Sequence, residues 1–470
     1  MANSFEVVSP VDGSVQARIT EANPSQIARV LDASQTAFRM WRQSPIVDRV
    51  ALVEAAVQNL EDRKDEIAQT LTMCMGRPAK WAKGEIDGAA DRARTMSGLA
   101  EHALADLHPP PVEGFTRFIR REPLGSVLVL SPWNYPYLTA INAIVPALLS
   151  GNTVILKHSD QTPLAAEHFR SAFEAAGVPK GVFQILHMNH EATAQVLVDD
   201  CIDHVCFTGS VEGGAAVTKA LASRRGRKRF IGSGLELGGN DPAYVRADAD
   251  IEHAAANVVE GALFNSGQSC CGIERIYVHS SIADRFVEAA VEAAKGWTLG
   301  DPRETSIDLG PVARQRNADS IRAQLTAALE AGARPLLDSA AWSMDRADTP
   351  YIAPQLLANV THEMPIMTQE TFGPCAGIMA VDTDEEAVSL MNDSAYGLTA
   401  SLWTRDNQTA MNLATEIEAG TVFLNRCDYL DPRLAWTGVK NSGRGTTLST
   451  VGFECLTRAK SFHFRTELPS

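Results

Sequence analysis

Residues 126–160, SVLVLSPWNYPYLTAINAIVPALLSGNTVILKHSD, decide the fold class of this chain. Two short apolar runs, at 127–130 and 154–156, lie on either side of a stretch with helical spacing at 138–149. Runs that are apolar on both faces are typical of strands buried between two layers of helices. A strand, a helix and a second strand in this order predict a parallel, doubly wound sheet.

The same alternation continues along the chain, in two blocks separated near Gly239. The further predicted strands are 182–186, 204–207, 275–279, 399–403 and 421–424. The further predicted helices are 164–176, 191–198, 213–222, 251–264, 282–294, 320–331, 384–391 and 409–418. Helices are also predicted before the first block, at 24–41, 50–71 and 79–105. We therefore expect an α/β protein with two doubly wound parallel-sheet lobes, which bind ligands at the carboxyl ends of their strands.

Composition and charge exclude several classes of protein. The 470 residues include 42 basic and 57 acidic side chains, for a net charge of −15. This balance argues against a nucleic-acid backbone or an anionic membrane as the main partner. No run reaches the length of about 18 apolar residues that a transmembrane helix needs, and no secretory signal is visible.

The cysteines are scattered rather than arranged as a disulfide framework. The eight are Cys74, Cys201, Cys206, Cys270, Cys271, Cys375, Cys427 and Cys455. No pair has the CxxC spacing, so we expect free thiols and a cytoplasmic location. His187 and His190 have helical ligand spacing but lack a third ligand nearby in the sequence, so we expect no metal site.

Two residue types that carry chemistry lie in glycine-containing turns. Cys270, in the segment GQSCCG, is either a nucleophile or a structural thiol, and Cys271 competes with it for the role. Glu236 lies among glycines and leucines, where partial burial would raise its pKa toward the range of a general base; the alternative is an exposed turn carboxylate. The nearby Gly232-x-Gly234 does not continue to GxGxxG, because Leu237 stands where the third glycine is needed.

Three further segments follow predicted strands. Asn134, in the stiff loop SPWNYP, has an amide that can stabilise an oxyanion, or it lies in an ordinary turn. Gly209 and Ser210 open a helix where backbone N–H groups can hold a phosphate, although such turns are also common without a ligand. Lys157 and Asp160 suit ribose hydroxyls, or they are solvated loop charges.

Taken together in their order, these segments resemble the aldehyde dehydrogenase superfamily over essentially the whole chain. The matching motifs are SPWNYP at 131–136, LKxxD at 156–160, FTGS at 207–210, LELGG at 235–239, GQSC at 267–270 and ETFGP at 370–374. The resemblance implies that Cys270 attacks an aldehyde and that Asn134 helps to form the oxyanion hole. It also implies that Glu236 activates the water that hydrolyses the thioester, giving a carboxylic acid.

The resemblance also implies the residues that hold a nicotinamide dinucleotide. The implied contacts are Lys157 and Asp160 at the adenosine ribose, Trp133 in the adjoining cofactor wall, Gly209 and Ser210 at the pyrophosphate, and Glu370 and Phe372 at the nicotinamide end. The family usually has Glu where Asp160 stands. A carboxylate at this position repels a 2′-phosphate, so we expect NAD rather than NADP.

The substrate is less well defined by the motifs. By position, the residues expected to line the substrate tunnel are Tyr135, Leu138, Asn142, Ser269, Cys271, Tyr429 and Trp436. Their aromatic rings favour an aromatic or medium aliphatic aldehyde over the alternative, a semialdehyde whose carboxylate binds Arg426. The sequence Gly445-Thr446-Thr447 departs from the glycine-arginine-glutamate that is frequent in the family, so the geometry of the substrate mouth is expected to differ.

The resemblance further implies a domain division and an assembly. Residues 1–112 and 124–238 are expected to form the NAD-binding domain, 239–438 the catalytic domain, and 113–123 with 452–470 an oligomerisation element. The expected partners are a small-molecule aldehyde and further copies of the chain, in a homodimer or homotetramer. A CoA-acylating enzyme, a thioester hydrolase without redox chemistry and a catalytically silent binding protein are the alternatives. Glu236 argues against the first, because its role as hydrolytic base would have no purpose there. Glu370, Phe372 and Lys157 argue against the hydrolase, and Cys270, Glu236 and Asn134 together argue against the silent protein.

Overall fold

The computed structural model describes residues 3–224 and 230–467 and has the α/β architecture that the sequence predicts. Its strands are β1 (Ser4–Val8), β2 (Val15–Thr20), β3 (Phe115–Pro123), β4 (Ser126–Ser131), β5 (Thr153–His158), β6 (Phe183–Ile185), β7 (His204–Thr208), β8 (Gly232–Glu236), β9 (Asp241–Val245), β10 (Ile273–His279), β11 (Arg334–Pro335), β12 (Gln355–Ala358), β13 (Cys375–Val381), β14 (Thr399–Trp403), β15 (Thr421–Leu424), β16 (Gly443–Arg444) and β17 (Thr457–Arg465). In the described part of the chain, no helix combines the length and hydropathy needed to cross a membrane.

The helices surround two sheets. They are α1 (Pro24–Trp41), α2 (Ile46–Asp62), α3 (Lys64–Met75), α4 (Ala79–Ala103), α5 (Pro136–Leu149), α6 (Leu164–Ala175), α7 (His190–Leu197), α8 (Val211–Ala222), α9 (Ile251–Leu263), α10 (Ala283–Lys295), α11 (Gln315–Glu330), α12 (Pro365–Thr368), α13 (Asp384–Asn392) and α14 (Asn407–Glu416). The predicted helix at 50–71 is two helices, α2 and α3, which meet at Arg63. The guanidinium of Arg63 reaches Ser171 on α6, a tertiary contact that local periodicity does not reveal.

The first sheet has six strands in the order β16-β8-β7-β4-β5-β6. Its strands are parallel except for β16, which returns from the C-terminal part of the chain and pairs antiparallel with β8. The carboxyl ends of β4, β5, β7 and β8 therefore share one edge. Four of the motifs found in the sequence follow these strands and lie at that edge.

The second sheet has seven strands in the order β11-β12-β13-β10-β9-β14-β15. All of its pairings are parallel except that of the short edge strand β11. Strand β9, which lies between β10 and β14, is fully buried and follows directly on β8 of the first sheet. The four-residue connection between them contains Gly238 and Gly239, so the LELGG motif is a covalent link between the two lobes.

Two pairs of strands lie apart from the large sheets. An antiparallel hairpin, β1 and β2, begins the described chain, and β3 pairs antiparallel with β17 in a long ribbon. The ribbon includes the strands expected in the oligomerisation element. Residues 1–2, 225–229 and 468–470, which belong to the predicted domain ranges, lie outside the described residues.

Candidate active site

Cys270 follows a tight turn that packs against the ETFGP loop. Asn265, Ser266 and Gly267 all have positive φ, at 56°, 57° and 70°. A Cβ on Gly267 would lie 2.0 Å from the carbonyl oxygen of Gly373, so only glycine fits the close approach of these two segments. The turn presents Cys270, half-buried, to an internal cavity.

Asn134 is buried and held on both sides. Its Nδ2 donates to the carbonyl oxygen of Gln268, two residues before Cys270, at 3.2 Å. Its own carbonyl oxygen accepts from Arg77 Nη2 at 2.9 Å and from Asn265 Nδ2 at 3.3 Å. Arg77 in turn forms a buried ion pair with Glu85. The predicted oxyanion residue is therefore fixed beside the Cys270 turn by a charged pair that the sequence analysis missed.

Glu236 ends β8 and faces the same cavity. Its carboxylate accepts hydrogen bonds from the Thr447 hydroxyl and, at 3.5 Å, from Thr208. Burial raises the pKa of Glu236, and the hydrogen bond from Thr447 is the strongest influence in the other direction. Thr447 belongs to the segment Gly445-Thr446-Thr447, which departs from the family pattern. The departure therefore places a hydrogen-bond donor on Glu236, the predicted general base.

The cavity has a volume of about 260 Å³ and gathers most of the residues predicted for catalysis and substrate binding. The predicted residues that line it are Tyr135, Leu138, Asn142, Glu236, Ser269, Cys270, Cys271, Tyr429 and Trp436. Arg426 does not line it. Its guanidinium lies over the ring of Tyr429, 3.8 Å from the ring centroid, on an exposed part of the chain.

A different arginine, Arg92, lines the cavity. It lies on α4, and its Nη1 donates to the carbonyl oxygen of Leu138 at 3.0 Å and to Asn142 Oδ1 at 3.3 Å. Its Nε and Nη2 atoms form no hydrogen bond with any other described residue. Burial lowers the pKa of this guanidinium, which nevertheless keeps its charge. No sequence motif includes Arg92 or its neighbours on α4, so the sequence alone does not indicate its position in the cavity.

The neighbouring Cys271 is engaged by a buried carboxylate. Its Sγ donates to Asp428 Oδ1 at 2.9 Å, and Ser269 lies 3.5 Å from the same oxygen. The contact with Cys270, together with burial, raises the pKa of Cys271 well above its ordinary value. Burial also raises the pKa of Asp428 to about 6. Cys271 is thus held as a thiol, while Cys270 remains accessible from the cavity.

Glu370 lies against the LELGG link. Its Oε1 accepts the backbone N–H of Gly239 at 2.9 Å, and a Cβ on Gly238 would lie only 2.4 Å from Oε2. Burial, and then the charge of Glu274, raise the pKa of Glu370 to about 8. Glu274 accepts the backbone N–H groups of Thr371 and Phe372, at 2.9 Å and 2.8 Å, and so fixes the ETFGP loop. Glu274 belongs to none of the sequence motifs, because it lies inside the buried strand β10.

The two rings predicted for the cofactor walls are neighbours. Trp133 and Phe372 meet edge to face with their centroids 5.6 Å apart. Phe372 has a positive φ of 53°, a conformation that is stabilised by the hydrogen bonds that the backbone of this loop donates to Glu274. The loop after β4 and the ETFGP loop therefore form one surface beside the Cys270 turn.

The carboxyl ends of β5 and β7 carry the remaining predicted cofactor residues. Ser210 caps α8 by accepting the backbone N–H of Gly213 at 3.1 Å, and the N–H of Gly209 is bonded to the Glu236 carbonyl at 3.0 Å. Lys157 is largely buried, which lowers its pKa, yet its ammonium has no hydrogen-bond partner among the described residues. Asp160 is bound by Arg314, whose Nη2 lies 2.5 Å from Oδ1. A largely buried ammonium without an acceptor among the described residues, at the sheet edge where α8 also begins, fits a dinucleotide that brings hydroxyl and phosphate oxygens.

The fold and this cavity define an oxidoreductase built from two doubly wound α/β lobes. The chain belongs to the aldehyde dehydrogenase family, whose model matches residues 1–462. It is 36% identical over 447 residues to the succinate semialdehyde dehydrogenase [NAD(P)+] Sad of Escherichia coli K12, covering 95% of this chain and 94% of the relative. A probable succinate-semialdehyde dehydrogenase [NADP(+)] of Synechocystis is 33% identical and covers 97% and 99% of the two chains.

The fold of the chain is also closely similar to that of a solved structure. The succinic semialdehyde dehydrogenase of Streptococcus pyogenes, in complex with NADP+, superposes with a TM-score of 0.92 at 28% identity, over 98% of this chain and 99% of that chain. These relatives support the semialdehyde alternative better than the aromatic or medium aliphatic aldehyde that the ring-rich tunnel suggested. The oxidation of an aldehyde by a member of this family is the part of the predicted function that the comparisons confirm.

The expectation of NAD in preference to NADP is wrong by the same comparisons, because the relatives are named for NADP or for both dinucleotides. The structure gives the physical reason. Asp160 does not act alone: burial would raise its pKa, but the charge and hydrogen bond of Arg314, and then the charge of Lys157, hold the pKa below its ordinary value. One carboxylate that is already paired with a guanidinium does not exclude a 2′-phosphate.

Proposed function

We propose that this enzyme oxidises a semialdehyde, an aldehyde with a carboxylate at its far end, to the dicarboxylic acid, and that it accepts NADP. The observation that carries the proposal is that Arg92 shares one cavity with Cys270 and Glu236. Arginine presents a planar set of donors that suits a carboxylate. The names of the relatives, succinate semialdehyde dehydrogenases, support the same substrate class.

The charges of the cavity favour an anion at Arg92. Its Nε and Nη2 donors have no hydrogen-bond partner among the described residues, and Nη1 donates to Leu138 and Asn142. Asp91 also lines the cavity and is exposed to solvent. The other two acidic groups of the lining, Glu236 and Asp428, both have pKa values raised by burial. Each is protonated more readily than an ordinary carboxyl group, which reduces its repulsion of an anionic substrate.

Cys270 and Asn134 carry the first half of the reaction in this proposal. The Cys270 thiolate attacks the aldehyde carbon, and the oxygen that becomes negative is stabilised by the Asn134 amide and the backbone N–H of Cys270. The Arg77–Glu85 pair keeps Asn134 in position, so that little reorganisation is needed as charge develops. A nicotinamide held beside Glu370 and Phe372 would supply the acceptor for the hydride that leaves the substrate carbon.

Glu236 carries the second half. It takes a proton from a water molecule, which attacks the thioester carbon and releases the acid from the Cys270 sulfur. The raised pKa makes Glu236 a stronger base than an ordinary carboxylate, while Thr447 keeps enough of it ionised to act. Cys271, held as a thiol by its bond to Asp428, takes no part in bond formation.

The substrate class is tested by replacing Arg92. Arg92→Gln is expected to lower kcat/KM for succinic semialdehyde about 10- to 100-fold, because a hydrogen bond between charged groups contributes ~1.5–3 kcal/mol. For butanal, which has no carboxylate, the change is expected to stay within about threefold. Arg426→Gln is the matched control and should leave both values unchanged. An equal loss for both aldehydes in Arg92→Gln would assign Arg92 to structure rather than to substrate binding.

We further propose the domain division expected from the sequence and an assembly of two or four chains through the β3–β17 ribbon. The ribbon pairs nine residues on each strand and is a two-stranded sheet separate from the two large ones. Phe118 and Phe462 stack on it at 4.4 Å, and Phe464 is 54% exposed. Light scattering of the purified chain measures the assembly, and a monomer at micromolar concentration would contradict this part of the proposal.

A further inference from the structure

Arg314 connects the two lobes at the carboxyl end of β5. It immediately precedes α11, and its Nη2 lies 2.5 Å from Asp160 Oδ1, while its Nε donates to Gln161 Oε1 at 2.6 Å. The Arg314 side chain is 19% exposed and that of Asp160 is 59% exposed. The guanidinium is therefore oriented by two side chains that are more than 150 positions away in the sequence, and the pair remains open on the Asp160 side.

The charges around this pair are mostly positive. Lys157 acts on Asp160 from β5, and Arg316 acts on it from the start of α11. Three cationic side chains thus face one carboxylate, and the Lys157 ammonium has no hydrogen-bond partner among the described residues. An arginine has five N–H donors, and only two of those of Arg314 are used by Asp160 and Gln161. Positive charge and unused donors at one place favour a phosphate.

We propose that Arg314 is a specificity-determining residue that binds the 2′-phosphate of NADP, and that Asp160 holds its guanidinium ready for that phosphate. This inference rests on the proposed function, in which the end of β5 receives the adenosine ribose. The 2′-phosphate is the one group that NADP has and NAD lacks. A contact with it therefore changes the affinity for one dinucleotide and leaves the other nearly unchanged.

The test measures binding of NADP+ and NAD+ to the purified full chain without aldehyde, by calorimetry or tryptophan fluorescence. Arg314→Gln is expected to raise the Kd for NADP+ about 10- to 100-fold, from the strength of a charged hydrogen bond, and to change the Kd for NAD+ less than about threefold. Arg334→Gln, at an exposed arginine on the edge strand β11 of the second sheet, is the control and is expected to keep the ratio of the two Kd values. The salt dependence of NADP+ binding should also weaken in Arg314→Gln.

A second variant tests the role of the carboxylate. Asp160→Asn keeps the shape of the side chain but removes its negative charge, so NADP+ is expected to bind several-fold more tightly. Equal weakening of both dinucleotides by Arg314→Gln, or weaker NADP+ binding in Asp160→Asn, would overturn the inference. A wild-type chain that binds NAD+ but not NADP+ would overturn it too while leaving aldehyde oxidation intact. A chain that binds neither would refute the proposed function and this inference with it.

Discussion

Thr447→Val is expected to impair the hydrolytic half of the reaction and to leave the first half intact. The Thr447 hydroxyl donates a short hydrogen bond to the Glu236 carboxylate, and burial of Glu236 already raises its pKa. A hydrogen bond to a charged group contributes ~1.5–3 kcal/mol, and about 1.4 kcal/mol corresponds to a factor of ten. Loss of the bond raises the pKa of Glu236 further, so less of it is ionised at neutral pH. We expect the kcat for hydrolysis to fall about tenfold or more.

The pH dependence of kcat distinguishes this effect from damage to the fold. Glu236 acts in its ionised form, so activity rises as the pH rises through its pKa. In Thr447→Val this rise should move to higher pH, the deficit should shrink as the pH increases, and the initial burst of reduced cofactor should remain. Valine has the shape of threonine, and the two backbone hydrogen bonds between Thr447 and Trp436 do not involve the side chain.

Thr208→Val is the matched control for the same carboxylate. Its hydroxyl lies 3.5 Å from Glu236 Oε2, at the limit of a hydrogen bond, so its loss should change the pH profile little. A Thr447→Val enzyme whose kcat falls equally at every pH, or whose burst disappears, would refute the assignment of Thr447 to the base.

The remaining predictions concern the nucleophile and the glycine that lies against it. Cys270→Ala should abolish aldehyde oxidation, whereas Cys271→Ala should retain most of it, and an iodoacetamide label found first on Cys271 would contradict that order. Gly239→Ala should lower kcat/KM about 100-fold, because a Cβ there would lie 2.2 Å from the backbone oxygen of Cys270 and a displacement of about 1 Å has effects of that size. Gly234→Ala, which meets nothing within 4 Å, should keep full activity, and similar kinetics in the two glycine variants would show that the backbone at Gly239 can adapt.

Much of the fold could be predicted from local patterns, and the exceptions have physical causes. The strands β4, β5 and β7 are short, apolar on both faces and followed by helices, so periodicity alone identifies them. Strand β9, in the interior of the second sheet, begins Asp241-Pro242, and a proline within an apolar run argues against an interior strand. Both of its neighbours, β10 and β14, hold it in place through tertiary pairing that no local window contains.

The residues of the site also fall into two groups, those that sequence motifs indicate and those that only the structure reveals. Cys270, Glu236 and Asn134 lie in glycine- or proline-containing turns after strands, and the order of the motifs is enough to select them. Arg92 and Thr447 carry no local signal: one lies in the middle of a long helix and the other in a segment that departs from the family pattern. Their roles follow from position, because Arg92 lines the cavity and Thr447 donates a hydrogen bond to Glu236.

The amino-acid sequence alone determines the α/β class, the family and the chemical groups available for catalysis, since these depend on periodicity and on short motifs. Only the tertiary structure decides how those groups are charged and what they recognise. It pairs Asp160 with Arg314 across more than 150 residues, which offsets part of the negative charge expected to repel a phosphate. It also brings Arg92, instead of Arg426, to the cavity. Electrostatic energy depends on the distance between charges in space, and that distance is set when the elements pack together.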